Sequence, residues 1–340
     1  MHTPVSSAVT RGVIAANSPS PRFSPGRVDP RDRTPNTRSV TDSPRSALAY
    51  AFTRTPKLEI GYLEWNPQGR RTAVLLHGWP DSAETWCDVA PCLVAEDFRV
   101  LAPSLRGYGP TRFLHEATFR SGQLAALGRD LVDFVDALRL ERPVIVGHDW
   151  GARAVANACG LRANVASHAV MVSVGYGTND PSQPMSYEQS RRYWYHWFMA
   201  TSRGVDAVHD DRRGFTRFMW DTWGPRDWIT QERFDEAAAA FENPDWPAIV
   251  LHSYRHRWGF AAGDPDCAAD EAALTPAPVF SLPMLVLHGR EDYVNHPDTS
   301  AGKEGFFTGR YERVLLDRVG HFPQREDPAS VAREILRFCA

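Results

Sequence analysis

The sequence predicts an α/β fold, with a mainly parallel sheet, helices on both of its faces and an inserted helical cap. From residue 57 onward, short apolar runs alternate with stretches that have helical spacing. Several of these runs are followed directly by polar residues, as expected where parallel strands end at a binding edge. Between about Gly177 and Pro278 the alternation stops and an aromatic, helix-like segment takes its place. Together these observations favour a sheet interrupted once by a cap.

The core elements follow one another in a regular order. The predicted strands are Leu58–Trp65, Thr72–Leu76, Phe98–Ala102, Val144–Val146, Ala169–Val174, Met284–Leu287 and Arg313–Leu316. The predicted helices are Leu124–Leu138, a stretch that includes Val155–Cys159, and Ser330–Phe338. Because the carboxyl ends of parallel strands meet at one edge of a sheet, we expect the polar residues after these strands to converge.

The chain is expected to divide into four segments: a tail (1–56), the first part of the core (57–176), the cap (177–278) and the second part of the core (279–340). The tail has eight Pro, eight Arg and three Asp, with no Lys or Glu, for a net charge of +5. Such a composition cannot bury enough apolar surface to offset the entropy of ordering, so disorder is predicted. Its prolines would also spoil an amphipathic targeting helix, and no signal-peptide pattern is visible.

The cap is unusually aromatic, because it contains seven of the eleven tryptophans. A single ring at helical spacing usually belongs to a core. An entire aromatic insertion between two strands is more economically explained as a cap that lines an apolar pocket.

Composition excludes several classes of function. The 38 basic and 41 acidic residues nearly balance, which argues against nucleic acid as a partner. No apolar run approaches the roughly 20 residues of a membrane span. The five cysteines include no CxxC pair, so neither a disulfide framework nor a metal site is expected, and a cytoplasmic location is the simplest prediction. No dinucleotide or Walker motif is present, so no cofactor is expected.

The clearest catalytic pattern is Val144–Ala152, in which a strand, a G-x-D-x-G turn and a helix-forming stretch follow one another. This is the layout of a nucleophile elbow, with Asp149 where the better-known version has serine. The N-terminus of the helix that follows supplies partial positive charge and free N–H groups, which keep a carboxylate ionised. The alternative is an ordinary strand–helix turn in which Asp149 merely caps the helix.

Two further turns complete a possible active site. His77-Gly78-Trp79-Pro80 follows an apolar run and could aim the backbone N–H of Trp79 at the same point as that of Trp150, forming an oxyanion hole. A structural turn is the alternative. Asp292 follows the strand Met284–Leu287 and His321 follows Arg313–Leu316, which gives the order nucleophile, acid, base.

From Leu58 to its C-terminus the chain resembles the α/β-hydrolase superfamily, and within it the branch with an aspartate nucleophile. The motifs that carry this resemblance are HGWP (77–80), RGYG (106–109), GHDWGA (147–152), GRED (289–292) and GHFPQREDP (320–328). The form of the first and the placement of the acid are most similar to epoxide hydrolases. The resemblance implies Asp149 as nucleophile, His321 as base, Asp292 as its orienting partner, and Trp79 and Trp150 as oxyanion donors.

The resemblance also implies two cap tyrosines that donate hydrogen bonds to an epoxide oxygen. One corresponds to Tyr254, in His252–Arg255; the other should come from Tyr193–Phe198, where Tyr195 is favoured over Tyr193 because Trp194 occupies the usual tyrosine position. The residues expected around the substrate are His77, Pro80, His148, Tyr193, Trp194 and Trp197.

Three hypotheses remain open. The preferred one is hydrolysis of an epoxide through an ester on Asp149, with a small apolar molecule and water as the partners. The second is hydrolytic dehalogenation of an organohalide, in which the indole N–H of Trp150 would solvate the leaving anion. The third is a non-catalytic binding protein of the same fold. Phenols suit the first chemistry, because an alkoxide leaving group needs a proton and a halide does not.

Overall fold

A computed structural model describes residues 49–177, 184–225 and 228–340, and these form a sheet with a parallel centre. The strands are β1 (Ala51–Arg54), β2 (Leu58–Trp65), β3 (Arg71–Leu76), β4 (Phe98–Pro103), β5 (Arg112–Phe113), β6 (Val144–His148), β7 (His168–Val172), β8 (Met284–Gly289) and β9 (Tyr311–Leu316). Their spatial order is β1-β2-β4-β3-β6-β7-β8-β9, and β5 pairs with β2. Strands β1, β4 and β5 each pair antiparallel with β2. All neighbours in the series β4-β3-β6-β7-β8-β9 are parallel. The predicted fold class is confirmed.

The central strands are apolar along their length because both faces of the sheet are covered. Every residue of β6 and β8 is buried, which explains why these strands lack an alternating pattern. One apolar cluster lies on the face of α2 and α3, and a second lies on the face of α1 and α12. The helices are α1 (Ala90–Val94), α2 (Leu124–Ala137), α3 (Trp150–Leu161), α4 (Tyr187–Arg192), α5 (Trp194–Phe198), α6 (Ser202–Asp210), α7 (Arg212–Trp223), α8 (Gln231–Ala239), α9 (Trp246–Arg257), α10 (Ala268–Ala273), α11 (Pro323–Glu326) and α12 (Pro328–Cys339).

The end of the predicted tail needs correction. Ala51–Arg54 forms an edge strand that pairs antiparallel with β2, with Phe52 opposite Gly61. Alternate residues of this strand are half-buried, so its two faces differ as in other edge strands. The prediction of disorder for residues 1–48 lies outside the described residues.

The segment between β7 and β8 is helical where it is described, and it contains α4 to α10. Four of its helices begin with a side-chain cap, in which an oxygen accepts from the backbone N–H three residues further on; the capping residues are Ser186, Thr201, Asp211 and Thr230. None of the helices in the described ranges is both long and apolar enough to cross a bilayer.

Candidate active site

Asp149 lies in the sharp turn between β6 and α3, and its backbone has φ 49°. This left-handed conformation is uncommon for a residue with a side chain. The turn is possible only with glycine on both sides. A Cβ on Gly147 would lie 2.1 Å from the carbonyl oxygen of Gly151, and a Cβ on Gly151 would lie 2.4 Å from that of Leu76. The glycines of the G-x-D-x-G pattern therefore allow the turn that exposes the Asp149 carboxylate to the cap.

The turn after β3 lies directly against this carboxylate. The backbone N–H of Trp79 donates to Oδ1 of Asp149 at 3.0 Å. Gly78 permits this approach, because a Cβ at that position would lie 2.5 Å from Cβ of Asp149. Trp150 is the first residue of α3, and its backbone N–H is the second predicted oxyanion donor. In the described part of the chain this N–H makes no hydrogen bond to the Asp149 carboxylate.

His321 lies between two carboxylates. Its Nδ1 is 2.9 Å from Oδ2 of Asp292, and its Nε2 is 3.9 Å from Oδ2 of Asp149. Oδ1 of Asp292 accepts from the backbone N–H groups of Val294 and Asn295, at 2.8 and 2.9 Å. Asp292 is thus fixed from two sides, and it orients the imidazole so that Nε2 faces Asp149.

Asp292 and His321 are both buried, and each shifts the pKa of the other. Burial alone would raise the pKa of Asp292, but the charge and hydrogen bonds of His321 and His288 lower it overall. Burial would lower the pKa of His321, but Asp292 outweighs it and raises that pKa above its usual 6.5. Asp292 therefore remains a carboxylate at neutral pH, and it supports an imidazolium that forms beside it.

His148 and His77, both predicted to lie around the substrate, bind backbone groups of neighbouring loops. The His148 ring lies beside His321 and Phe322, and it donates from Nε2 to the carbonyl oxygen of His321 at 2.7 Å. Burial lowers its pKa to about 4, so it is neutral and keeps this bond. His77 is also buried, and its Nε2 accepts from the backbone N–H of Leu105. Both histidines therefore hold loops that carry the site, and their place around the substrate stays a prediction.

Two cap tyrosines close over the Asp149 carboxylate. Tyr254 and Tyr195 are 1% and 3% exposed, and their rings lie 5.4 Å apart. Both rings contact the Trp79 indole, which Tyr195 stacks at 5.3 Å and Tyr254 meets edge-on at 5.2 Å. The indole Nε1–H of Trp150 donates to the Tyr254 hydroxyl at 3.2 Å. Burial raises the pKa of both phenols well above 10. The second contribution comes from Tyr254 for Tyr195 and from Asp149 for Tyr254.

Tyr193, the alternative to Tyr195, has a different partner. Its hydroxyl donates to Oδ1 of Asn295 at 2.6 Å, in the loop that also holds Asp292. The geometry therefore favours Tyr195 as the second phenol at the site.

Trp194 and Trp197, both predicted to line the pocket, lie further out. Trp194 is 38% exposed and packs against Phe218, while Trp197 donates to the carbonyl oxygen of Ser190 and packs on Trp258. The helix α5 has only five residues, so the side on which each of its rings would lie could not be predicted from periodicity. Pro80 is buried and its carbonyl oxygen accepts from Nε1 of Trp220, which ties it to the cap.

Sequence reasoning missed two residues that the cap brings to the site. The Trp223 ring contacts His321, Trp79 and Tyr195, with centroids 5.0–5.4 Å apart. The His196 ring stacks on Tyr193 at 4.4 Å and lies 4.6 Å from Tyr254. Both residues belong to the aromatic runs of the cap, which indicated a pocket wall without showing which rings face inward.

A cavity of about 410 Å³ lies beside α3, one helical turn beyond Asp149. Arg153, Ala156, Met171 and Val174 are among its lining residues, whereas Asp149 is not. The space directly above Asp149 is instead covered by the aromatic rings of the cap. Within the described ranges, no cluster of three or more His, Cys, Asp or Glu side chains could hold a metal ion.

The fold and this arrangement of loops define an α/β hydrolase. The family model described as alpha/beta hydrolase fold matches residues 73–328, and the chain belongs to that family.

Within the family, the chain is an epoxide hydrolase-like hydrolase. It is 26% identical to Epoxide hydrolase A of Mycobacterium tuberculosis over 319 residues, which cover 84% of this chain and 95% of that protein. It is 28% identical to an epoxide hydrolase of Caballeronia sordidicola, covering 80% and 88% of the two chains. A crystal structure from Klebsiella pneumoniae, of a protein provisionally described as an epoxide hydrolase, superposes with a TM-score of 0.79 at 32% identity and covers 85% and 96%.

Proposed function

We propose that this protein hydrolyses epoxides to vicinal diols through an alkyl ester on Asp149. The observation that carries the proposal is the pair of buried phenols, Tyr254 and Tyr195, packed over the turn that holds Asp149. Phenols with a raised pKa stay protonated at neutral pH and can donate to the epoxide oxygen as its ring opens. The relatives that are named epoxide hydrolases support the same choice of substrate.

In the first step, Oδ2 of Asp149 attacks a ring carbon of the epoxide. Its other oxygen, Oδ1, is held by the Trp79 N–H, which orients the carboxylate. A carbon–oxygen bond to Asp149 forms while the ring carbon–oxygen bond breaks, and its electron pair moves to the departing oxygen. That oxygen accepts hydrogen bonds and then a proton from the tyrosines, so a free alkoxide does not have to form.

In the second step, water hydrolyses the ester. Nε2 of His321 faces Asp149 and has no hydrogen-bond partner among the described residues, so it can accept a proton from water. The resulting hydroxide attacks Cγ of Asp149, and negative charge develops on Oδ1 beside the Trp79 N–H. One such donor contributes about 2.7–4 kcal/mol to stabilisation of this charge. Asp292 stabilises the imidazolium. When the intermediate collapses, the departing oxygen of the diol takes the proton from His321, and the diol is released. The carboxylic acid left on Asp149 returns its proton to the tyrosine that gave one up in the first step, which restores all three groups.

The Trp150 indole favours an epoxide over an organohalide. Its Nε1–H donates to the Tyr254 hydroxyl, so the donor that would solvate a departing halide is already engaged. The same bond occupies an acceptor position of the phenol oxygen and does not use its O–H, which can donate to a bound substrate. One hydrogen bond thus prepares Tyr254 as a donor to oxygen.

The test is turnover of styrene oxide and a panel of aliphatic epoxides by purified wild-type protein and by Asp149→Asn. We expect diol from the wild type and none from the variant, with equal thermal stability showing that both are folded. A panel of haloalkanes and haloacetates serves as the comparison. Halide release without diol formation from any epoxide would contradict the proposal.

A further inference from the structure

The loop that carries His321 is held by a carboxylate outside the Asp149–His321–Asp292 set. Glu326 turns back at the end of α11, and its two oxygens accept from the backbone N–H groups on either side of His321. Oε2 accepts from Gly320 at 2.6 Å, and Oε1 accepts from Phe322 at 2.8 Å. Short bonds of this kind to an ionised acceptor are stronger than neutral ones. The side chain therefore fixes the backbone immediately before and after His321.

The cap holds the third N–H group of this segment. The backbone N–H of His321 itself donates to the carbonyl oxygen of Trp223 at 3.2 Å. Gly320 lies close both to Gly224 of the cap and to Glu326, since a Cβ on Gly320 would lie 2.6 Å from Cα of Gly224 and 3.1 Å from Oε1 of Glu326. Three consecutive N–H groups are thus held, two by Glu326 and one by the cap. Loss of the Glu326 bonds would leave the N–H of His321 as the only one of these three that is held.

Glu326 is half-buried, and that position affects its charge. Burial raises its pKa to about 7, although the two N–H groups act in the opposite direction. The charged groups that face it are Asp292, which also raises this pKa, and His321, which lowers it. In return, an ionised Glu326 adds to the effect of Asp292 and favours a proton on His321.

We propose that Glu326 is a positioning residue for ester hydrolysis: its ionised carboxylate holds the His321 loop in place, and its protonation releases that loop. The inference rests on the proposed ester on Asp149, because it concerns only the step that uses His321 as a base. Attack of Asp149 on the substrate does not require His321, so the first step should be insensitive to Glu326.

The proposal predicts the shape of a pH profile. Ester hydrolysis needs neutral His321 and ionised Glu326, so two protons should inactivate this step as pH falls. The acid limb of the wild-type rate should therefore be steeper than a single ionisation allows. Without the Glu326 charge, one ionisation remains, and the pKa of His321 should fall because a nearby negative charge is lost.

The experiment is single-turnover kinetics, in which excess enzyme is mixed with limiting epoxide and the formation and decay of the alkyl-enzyme are followed from pH 5 to 9 by quenched-flow mass measurement. Glu326→Gln keeps the shape of the side chain but replaces one acceptor with an NH₂ group that faces a backbone N–H. We expect the plateau rate of ester hydrolysis to fall on the order of tenfold. We also expect the acid limb to become single-proton and to move to lower pH, while the rate of ester formation is unchanged.

Ser173→Ala is the matched control. Its hydroxyl donates to the carbonyl oxygen of His321 at 2.9 Å, so the variant also loses a hydrogen bond to this loop, but it loses no charge. We expect the control to keep the steep limb. Glu326→Asp is a second variant, which retains the charge with a shorter reach, and it should lower the plateau and retain the steep limb.

An acid limb of Glu326→Gln that coincides with the wild type in slope and midpoint would overturn the inference, whatever its plateau rate. If Glu326→Gln does not fold, the other two proteins provide the test. An acid limb with the slope of a single ionisation, in Glu326→Asp or in the wild type, would also overturn the inference. Failure of the proposed function would look different, because no alkyl-enzyme would then form in any of these proteins.

Discussion

Replacement of Tyr254 by phenylalanine tests whether a cap phenol assists ring opening. The change removes one hydroxyl, which is protonated at neutral pH because burial raises its pKa well above 10. A single well-placed donor to developing negative charge is typically worth about 2.7–4 kcal/mol, or 10²–10³ in rate. Since Tyr195 remains as a second donor, we expect the lower end, about 100-fold slower formation of the ester. Hydrolysis of the ester, which does not use the phenol, should change little.

The variant also has a structural cost that must be separated from this effect. It leaves the Trp150 indole N–H without its acceptor, a change worth about 1–3 kcal/mol of stability. Tyr193→Phe is the matched control, because its buried hydroxyl is bound to Asn295 and its loss also leaves a polar group unpaired. Ester formation should be slowed in Tyr254→Phe alone, as measured by rapid quench and intact mass. Equal rates of ester formation in the two variants would refute the assignment of Tyr254 as a donor.

Three other substitutions give distinct outcomes. His321→Gln should still form the ester but not hydrolyse it, so incubation with an epoxide should raise the protein mass by the mass of that epoxide; an unmodified protein would contradict this. Gly78→Ala would place a Cβ 2.5 Å from Cβ of Asp149, and we expect a lower melting temperature together with loss of diol formation; wild-type values of both would contradict the close packing inferred here. Arg325→Met removes the partner of buried Asp81, whose carboxylate lies 2.6 Å from the guanidinium, and should cost about 3–5 kcal/mol in urea unfolding at pH 7. In the wild type the pKa of Asp81 is lowered because Arg325 outweighs burial, whereas in the variant burial alone would raise it. The stability deficit of the variant should therefore shrink as pH falls and Asp81 becomes protonated. A deficit independent of pH would contradict the unpaired charge.

The core could be predicted from sequence because its signals are local. A continuous apolar run, such as the one before Gly147, is required wherever a strand is buried on both faces. Gly147 is required by a contact within the turn, because a Cβ there would lie 2.1 Å from the carbonyl oxygen of Gly151. These constraints act within a few residues, so they are visible in the chain itself.

The cap and the support of the loops could not be predicted in the same way. Tyr193 and Tyr195 lie two residues apart in similar sequence, and what separates them is a partner, Asn295, about a hundred positions away. His148 adjoins Asp149 in the chain, yet its ring points to the backbone of His321. The edge strand Ala51–Arg54 was hidden because it follows a proline- and arginine-rich stretch and gains its order by pairing with β2.

The most direct test of the account is a single turnover of an epoxide in ¹⁸O-water with enzyme in excess, followed by mass analysis of the diol and of the peptide that contains Asp149. An ester on Asp149 predicts that the first diol carries no label, because its new oxygen comes from the carboxylate, and that ¹⁸O enters the Asp149 peptide. Label in the first diol, with an unlabelled Asp149 peptide, would mean that water attacks the substrate directly and would contradict the account.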